Sequence, residues 1–332
     1  MDRLLGGMLF TGNSIGGVLV KKIAFLFPGQ GSQKVGMGQE FYQEHDFVRE
    51  IFDMAEDITG LPITRLCFEG PMEDLTQTVN LQPAVTAVNL ACLAALESAD
   101  IHSDFCAGHS LGEYSALRAA AVLSTADTIR LVHKRGELMH REAEKHAGAM
   151  HAIIGLPIEA IRNIVADAQS EGVVSVANHN TELQIVISGE PTAVARVSKE
   201  AAAQGAKSVP LKVSGAWHSE LIRGAEDEFG RHLQTAHFQS PKRPVILNVS
   251  GAVAGAPEEI RSGLKKQLCS PVRWFDGMRA LMEHNVDVFV EVGPGKVLAG
   301  LLKKILPADY SATIATLAGP KDLESLVKEI CG

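Results

Sequence analysis

The chain has 332 residues, of which 46% are hydrophobic and 21% are charged, a composition typical of folded globular proteins that excludes a disordered or collagen-like chain. Its 31 Lys and Arg against 39 Asp and Glu give a net charge of −8, so composition provides no general attraction to nucleic acid or to an anionic membrane. The five cysteines include no CxxC pair, which indicates neither a disulfide framework nor a zinc site and fits a cytoplasmic location. No apolar run reaches the length of about 18 residues that would indicate a membrane span.

The first 20 residues are apolar, as in a signal peptide, but other features argue against export. Asp2 cancels the charge of Arg3, residues 11–14 interrupt the apolar run, and no small-residue cleavage site follows. We therefore predict that residues 1–20 form a disordered extension, and that the true start of the protein lies near Val20.

From residue 22 onward, strand and helix patterns alternate, which predicts an α/β fold. A strand over residues 23–27 ends at Pro28-Gly29, and helical periodicity resumes near Phe41. Residues 83–98 are rich in Ala and Leu, which would lie on nearly every face of a helix. This pattern predicts a buried helix at the centre of the fold.

Residues 147–213 show a different pattern, in the order βαββαβ. The predicted strands are 150–156, 173–177, 184–188 and 207–211, and the predicted helices are 158–169 and 191–204. This order and size are those of a ferredoxin-like unit. We therefore predict a small domain over 147–213, inserted into a catalytic domain made of 21–146 and 214–332. The α/β pattern then returns with a strand over 286–292, a Gly-Pro-Gly turn and a helix over 296–305.

The segment Gly108-His109-Ser110-Leu111-Gly112 matches the G-x-S-x-G nucleophile elbow. A short apolar strand precedes it and a helical run over 113–123 follows, as the elbow requires. The flanking glycines remove side chains that would clash, and the helix supplies its N-terminal dipole and the backbone N–H of Leu111 to a developing oxyanion. The alternative is an ordinary glycine-rich strand-to-helix turn with a capping serine.

A second glycine-rich segment, Gly29-Gln30-Gly31-Ser32-Gln33, follows the first predicted strand. It fails the dinucleotide-binding pattern because Lys34 replaces the third glycine, and it fails the P-loop pattern because Met37 stands where lysine is required. A loop of this kind can also bring a backbone N–H to the tip of the neighbouring strand, where an oxyanion hole needs its second donor.

Together these segments resemble the malonyl-CoA:acyl carrier protein transacylase family, from about residue 22 to about residue 305. Further matching stretches, in the family's order, are Gln82-Pro83-Ala84, Arg135-Gly136, Gly148-Ala149-Met150, residues 186–189, Gln267 with residues 271–274, and residues 291–298. The resemblance implies an α/β-hydrolase-like core with a ferredoxin-like insertion, in agreement with the predicted order of elements.

The resemblance also implies a catalytic dyad. Ser110 matches the acylated nucleophile and His218 matches its general base, the pair that acyl transfer to serine requires. The backbone carbonyl of Gln267 matches the group that orients the imidazole, so no aspartate is assigned. Gln30 and Leu111 match the backbone N–H donors of the oxyanion hole.

For substrate binding, the resemblance points to Arg135. Its guanidinium matches the group that pairs with the free carboxylate of a malonyl group through two parallel hydrogen bonds. Gln82 and His109 match side chains beside the acyl group, and Asn178 and Asn180 match asparagines near the pocket mouth.

Four positions depart from the family pattern. Ala121 stands where a glycine is expected, Arg118 places a charge at a normally uncharged position, and His140 and His151 replace neutral residues. Separately, Trp217 directly precedes the histidine base. We expect the bulk of Trp217 to narrow the pocket against a branched methylmalonyl group.

The implied activity is ping-pong transfer of malonyl from malonyl-CoA to the phosphopantetheine thiol of holo acyl carrier protein, without cofactor or metal, by a cytoplasmic monomer that supplies fatty acid biosynthesis. Lys265-Lys266 and Lys303-Lys304 are candidate docking residues for the acidic carrier. The alternatives are a stand-alone acyltransferase of a polyketide or polyunsaturated fatty acid synthase, a thioesterase or acyl hydrolase, and a non-catalytic carrier-docking module.

Overall fold

The computed structural model describes residues 21–331. The predicted disordered extension over 1–20 lies outside the described residues. The strands are β1 (Ile23–Phe27), β2 (Phe105–Gly108), β3 (Ala149–Ile154), β4 (Val174–Thr181), β5 (Gln184–Gly189), β6 (Lys207–Pro210), β7 (Val245–Leu247), β8 (Ala252–Ala254), β9 (Val288–Val292) and β10 (Thr313–Leu317).

Helices separate most of these strands. They are α1 (Gln39–Glu44), α2 (Asp46–Thr59), α3 (Ile63–Phe68), α4 (Met72–Thr76), α5 (Thr78–Ser98), α6 (Gly112–Ala119), α7 (Thr125–Lys145), α8 (Ile158–Ala168), α9 (Pro191–Ala203), α10 (Arg223–Thr235), α11 (Pro257–Gln267), α12 (Trp274–Glu283), α13 (Val297–Ile305) and α14 (Pro320–Cys331). Two short 3₁₀ helices span Gln169–Glu171 and Glu220–Ile222.

The larger sheet has the strand order β10-β9-β1-β2-β7-β8 and is parallel except for β8. All five residues of β1 are buried, as expected for an apolar strand covered on both faces. Phe27 at the end of β1 is in register with Gly108 at the end of β2. The loops that follow these two strands therefore meet at one edge of the sheet, and they carry Gln30 and Ser110.

Helix α5 is the buried central helix that the sequence predicts. It begins at Thr78, ahead of the predicted start at Pro83, which lies inside its second turn. It is the one helix in the described chain that is long and apolar enough to span a membrane, and 83% of its most apolar window is buried inside the protein. Its nearly uniform hydrophobicity is thus explained by packing in the core.

Helix α6 ends earlier than the sequence predicts. The predicted helix runs to residue 123, whereas α6 stops at Ala119. Ala121 has a φ of 59°, and the Val122 N–H bonds back to the Leu117 carbonyl, so the chain leaves the helix through a left-handed residue. This conformation explains why a glycine would be favoured at position 121.

The smaller sheet is antiparallel, with the order β4-β5-β3-β6, and α8 and α9 lie in the two crossovers. This is the predicted ferredoxin-like topology, and the α/β fold class is confirmed. The division into domains at residues 147 and 213 stays a prediction. β4 is longer than predicted, and a parallel bridge joins its Asn178 to Val272 of the surrounding chain.

Candidate active site

Ser110 lies on a tight turn between β2 and α6. Its φ of 51° is left-handed, which lifts the side chain out of the sheet. A Cβ at Gly112 would lie 1.9 Å from the Phe27 carbonyl oxygen, and one at Gly108 would lie 2.0 Å from the Gly112 carbonyl carbon. Both flanking positions therefore require glycine.

Asn248, directly after β7, holds this turn from the neighbouring strand. Its Oδ1 accepts a hydrogen bond from the Ser110 N–H at 2.7 Å, and its Nδ2 donates to the Gly108 carbonyl at 2.7 Å. Sequence reasoning missed Asn248. The available signal was an apolar triplet followed by a single asparagine, which becomes informative only when β7 is known to pair with β2.

Ser110 and His218 form a hydrogen-bonded pair. The distance from Ser110 Oγ to His218 Nε2 is 2.8 Å, and His218 Nδ1 lies 2.8 Å from the backbone oxygen of Gln267. Since a carbonyl can only accept, Nδ1 carries the proton and Nε2 presents its lone pair to the serine hydroxyl. Gln267 is the last residue of α11, where a helix carbonyl has no partner within the helix.

Arg135 lies on α7, where Gly136 allows close approach to α5: a Cβ at Gly136 would lie 3.1 Å from the Thr78 carbonyl oxygen. Its Nη1 donates to Gln82 Oε1 at 2.9 Å, and its Nη2 donates to Gln267 Oε1 at 3.0 Å and to Ser110 Oγ at 3.2 Å. These contacts place the guanidinium directly beside the nucleophile.

The Arg135 side chain is 1% exposed, yet in the described part of the chain it forms no salt bridge, and its Nε–H has no partner. Burial lowers the pKa of Arg135, but an arginine stays charged at neutral pH. A buried cation is costly unless an anion approaches it. The site is therefore built to receive a negatively charged group.

A cavity of about 100 Å³ opens over the dyad. Its apolar wall consists of Met139, Met150, Leu211, Val213 and Trp217, and its polar side carries Gln30, Gln82, His109, Ser110, Leu111, Arg135, Asn178 and His218. Across residues 21–331, the backbone N–H groups of Gln30 and Leu111 have no hydrogen-bond acceptor. Two free donors thus lie at the edge of a cavity that contains a serine nucleophile.

The two asparagines of β4 occupy different places. Asn178 lines the cavity, whereas Asn180 Oδ1 lies 2.9 Å from His109 Nε2 and holds that ring. Burial lowers the pKa of His109, so its imidazole is neutral, with Nε2–H donating to Asn180. In the described range, no group of three His, Cys, Asp or Glu side chains is arranged to hold a metal ion.

Comparisons with known proteins place the chain in a family. The model of the acyl transferase domain family matches residues 24–328. The chain belongs to the acyl transferase family. A malonyl CoA-acyl carrier protein transacylase of Bacillus subtilis is 43% identical over 288 residues, which cover 86% of this chain and 91% of the relative.

Solved acyl transferase structures superpose closely on this one. The malonyl CoA-acyl carrier protein transacylase from Coxiella burnetii has a TM-score of 0.90 at 37% identity and covers 95% of this chain and 99% of its own. A malonyl-transacylase solved in complex with a type II polyketide synthase acyl carrier protein has a TM-score of 0.88 at 36% identity. The superposition covers 93% of this chain and 99% of that transacylase.

The electrostatics of this acyl transferase keep His218 neutral. Burial, followed by the nearby positive charge of Arg135, lowers the pKa of His218 to about 3. Both causes disfavour the imidazolium, so the neutral base persists well below the usual histidine range.

We therefore predict that the reactivity of Ser110 is nearly independent of pH on the acid side. A histidine of ordinary pKa would lose roughly thirtyfold of its neutral form between about pH 8 and about pH 5. We expect the rate of inactivation by a neutral sulfonyl fluoride to change by less than about threefold over that range, because little of His218 is protonated. The reagent itself does not titrate, so a thirtyfold fall would show that the base has an ordinary pKa.

Proposed function

We propose that this chain transfers the malonyl group of malonyl-CoA to the phosphopantetheine thiol of holo acyl carrier protein, through a malonyl ester of Ser110. The observation that carries this proposal is the buried guanidinium of Arg135, which forms no salt bridge within residues 21–331 and whose Nη2 lies 3.2 Å from Ser110 Oγ. An acyl group on Ser110 that ends in a carboxylate would reach this cation, whereas an acetyl group would leave it unpaired.

In the first half-reaction, Ser110 Oγ attacks the thioester carbonyl carbon and its proton passes to His218 Nε2. The Gln267 carbonyl holds the Nδ1–H and thereby stabilises the imidazolium that forms. The backbone N–H groups of Gln30 and Leu111 donate to the developing oxyanion. The carbon–sulfur bond then breaks, and the departing CoA thiolate takes the proton from His218.

The second half-reaction runs the same steps in reverse order. The carrier's thiol gives its proton to His218 Nε2, and the sulfur attacks the malonyl ester carbonyl. The ester bond to Ser110 breaks, and the serine oxygen regains its proton from the imidazolium. Over the whole cycle, the malonyl group moves from one thiol to the other, and Ser110 and His218 return to their starting protonation states. No metal or cofactor takes part in these steps.

Selection of malonyl would come from Arg135. The Nε–H of Arg135 has no partner within residues 21–331, and Nη1 donates only one of its two hydrogens, to Gln82, so the guanidinium keeps N–H donors for the oxygens of a carboxylate. The acetyl group offers no such oxygens, so the buried charge would lose its partner. Sites built on polar pairing of this kind discriminate by roughly 10⁴-fold.

We further propose a cytoplasmic monomer that serves fatty acid biosynthesis. A carrier of a type II polyketide synthase is the second candidate, since a relative that is 36% identical to this chain is solved with such a carrier. Of the predicted docking residues, Lys265 is already paired with Asp227 at 2.8 Å, whereas Lys303 and Lys304 lie in the last turn of α13. The α13 pair is therefore the better docking candidate.

Intact-protein mass after brief mixing with malonyl-CoA tests the activity, with acetyl-CoA and the Ser110→Ala variant as controls. We expect a malonyl mass increment on the wild type only, stable over minutes and discharged by holo carrier protein. Holo carriers from a fatty acid and a polyketide system, used in parallel, distinguish the two pathways. Rapid release of free malonate without a carrier would indicate a hydrolase, and no labelling by either thioester would contradict the proposal.

A further inference from the structure

Glu113 is a buried carboxylate that the mechanism above does not use. It lies in the first turn of α6, is 1% exposed and is not among the residues that line the cavity. Its Oε1 accepts the backbone N–H of Asn248 at 3.1 Å, and its Oε2 accepts a hydrogen bond from Gln267 Nε2. Glu113 therefore contacts two groups that hold the site, and it does not contact the acyl pocket.

The side chain of Gln267 connects Glu113 to Arg135. Its Nε2 donates to Glu113 and, at 3.0 Å, to the Ser110 carbonyl, while its Oε1 accepts from Arg135 Nη2 at 3.0 Å. The two ends of a glutamine amide have nearly the same shape, so hydrogen bonds decide which end points where. A carboxylate only accepts, and a guanidinium only donates. With Glu113 on one side and Arg135 on the other, a single orientation of the Gln267 amide satisfies both.

We propose that Glu113 is a positioning residue for carboxylate recognition: it fixes the Gln267 amide, which in turn holds the Arg135 guanidinium in the orientation that binds malonyl. This inference rests on the proposed function, because it concerns the same substrate. Glu113, in helix α6, would thus contribute to substrate binding and not to the chemistry at Ser110.

The amide relay explains why the carboxylate does not contact the arginine directly. A direct salt bridge from Glu113 would occupy guanidinium donors and neutralise Arg135. Glu113 would then compete with the malonyl carboxylate for the same guanidinium. Through Gln267, Glu113 orients the guanidinium without occupying its Nε–H, which has no partner within residues 21–331, or the second hydrogen of Nη1. The guanidinium is thus held in place, and within residues 21–331 no carboxylate is bonded to it directly.

The test compares the ratio of kcat/KM for malonyl-CoA to kcat/KM for acetyl-CoA in wild type and Glu113→Gln. The new amide has the same shape but can donate, so Gln267 can turn its NH₂ toward Arg135 and push the guanidinium away. We expect the ratio to fall roughly tenfold or more, the worth of a hydrogen bond to a charged group. Burial raises the pKa of Glu113 to about 7, so assays run at about pH 8, where the carboxylate dominates.

Glu291→Gln is the matched control. Glu291 is also buried, and its carboxylate accepts the backbone N–H groups of Leu298 and Ala299 at the start of α13, outside the cavity lining. We expect this variant to keep the wild-type ratio. If Glu113→Gln lowers kcat/KM equally for both thioesters, so that the ratio is unchanged, Glu113 has a purely structural role and the inference is wrong.

A double-mutant cycle with Gln267→Met tests the route through the amide. Methionine keeps the backbone carbonyl that holds His218 but removes the three side-chain hydrogen bonds, to Glu113, Arg135 and the Ser110 carbonyl. We expect Gln267→Met to lower the ratio as much as Glu113→Gln, with no further loss in the double variant. Should Glu113→Gln fail to fold, an unchanged ratio in Gln267→Met alone overturns the inference. A wild type that takes up no malonyl overturns the proposed function as well, whereas normal wild-type transfer with unchanged variant ratios overturns only the role of Glu113.

Discussion

Replacing Arg135 with alanine is expected to lower kcat/KM for malonyl-CoA by roughly 10³-fold, because truncating one partner of a buried charge pair costs about 2–5 kcal/mol. The value for acetyl-CoA should stay the same or rise, since the wild-type complex with acetyl leaves a buried cation without a counter-ion and the variant does not. The preference between the two thioesters would then change by roughly three orders of magnitude. Competition kinetics with both thioesters, discharged by holo carrier protein, measures it.

Arg135→Lys is the matched control for this prediction. Lysine keeps the charge but not the planar fork, so we expect a loss intermediate between wild type and alanine. Because Arg135 also donates to Ser110 Oγ, inactivation by a neutral sulfonyl fluoride should be measured for each variant, to separate effects on the nucleophile from effects on binding. Retention of the wild-type preference in Arg135→Ala would show that another group binds the carboxylate.

Replacing His218 with alanine is expected to lower the rate of malonyl-enzyme formation by roughly 10⁴-fold, because the serine hydroxyl then has no group to take its proton. Among the described residues, the hydrogen-bond partners of Ser110 Oγ are His218 Nε2 and Arg135 Nη2, and a guanidinium cannot act as a base. Quenched-flow mixing with malonyl-CoA, followed by intact-protein mass, gives the rate.

His102→Ala serves as the control for this loss. His102 is exposed and paired with Asp100 on the loop before β2, so its removal should leave the rate unchanged. Added imidazole should restore part of the activity of His218→Ala if the lost function is proton transfer. Malonyl-enzyme formation at the wild-type rate in His218→Ala would remove this histidine from the mechanism.

The order of elements around the site could be predicted from the sequence because each carries a local signal. β1 is a continuous apolar run closed by Pro28-Gly29, and the strands and helices of the small domain follow one another in the predicted order. The predicted helix boundaries were less accurate where the backbone leaves the usual φ/ψ regions. At Ala121, for example, the left-handed conformation ends α6 early. β7 and β8 were missed because three residues are too few to show a period.

The residues of the site fall into two groups. Ser110 could be nominated from the elbow pattern, whereas His218 and Arg135 needed the family resemblance, because a single histidine or arginine carries no signal in its own segment. Asn248 and the side chain of Gln267 were not assigned by either route. Their importance lies in contacts across more than 130 positions of sequence, which only the folded chain brings together.

The bridge between Asn178 and Val272 has a mechanical consequence. His179 N–H bonds to the Val272 carbonyl at 2.9 Å, and Val272 N–H bonds to the Ala177 carbonyl at 2.8 Å, so the small sheet is fastened to the segment that begins at Gln267. A tilt of that sheet would pull on the segment and shift the carbonyl that aligns His218. Because Asn178 of the same sheet lines the acyl cavity, we expect an acyl chain that displaces this strand to misalign the base, and therefore to slow the chemical step as well as its own entry.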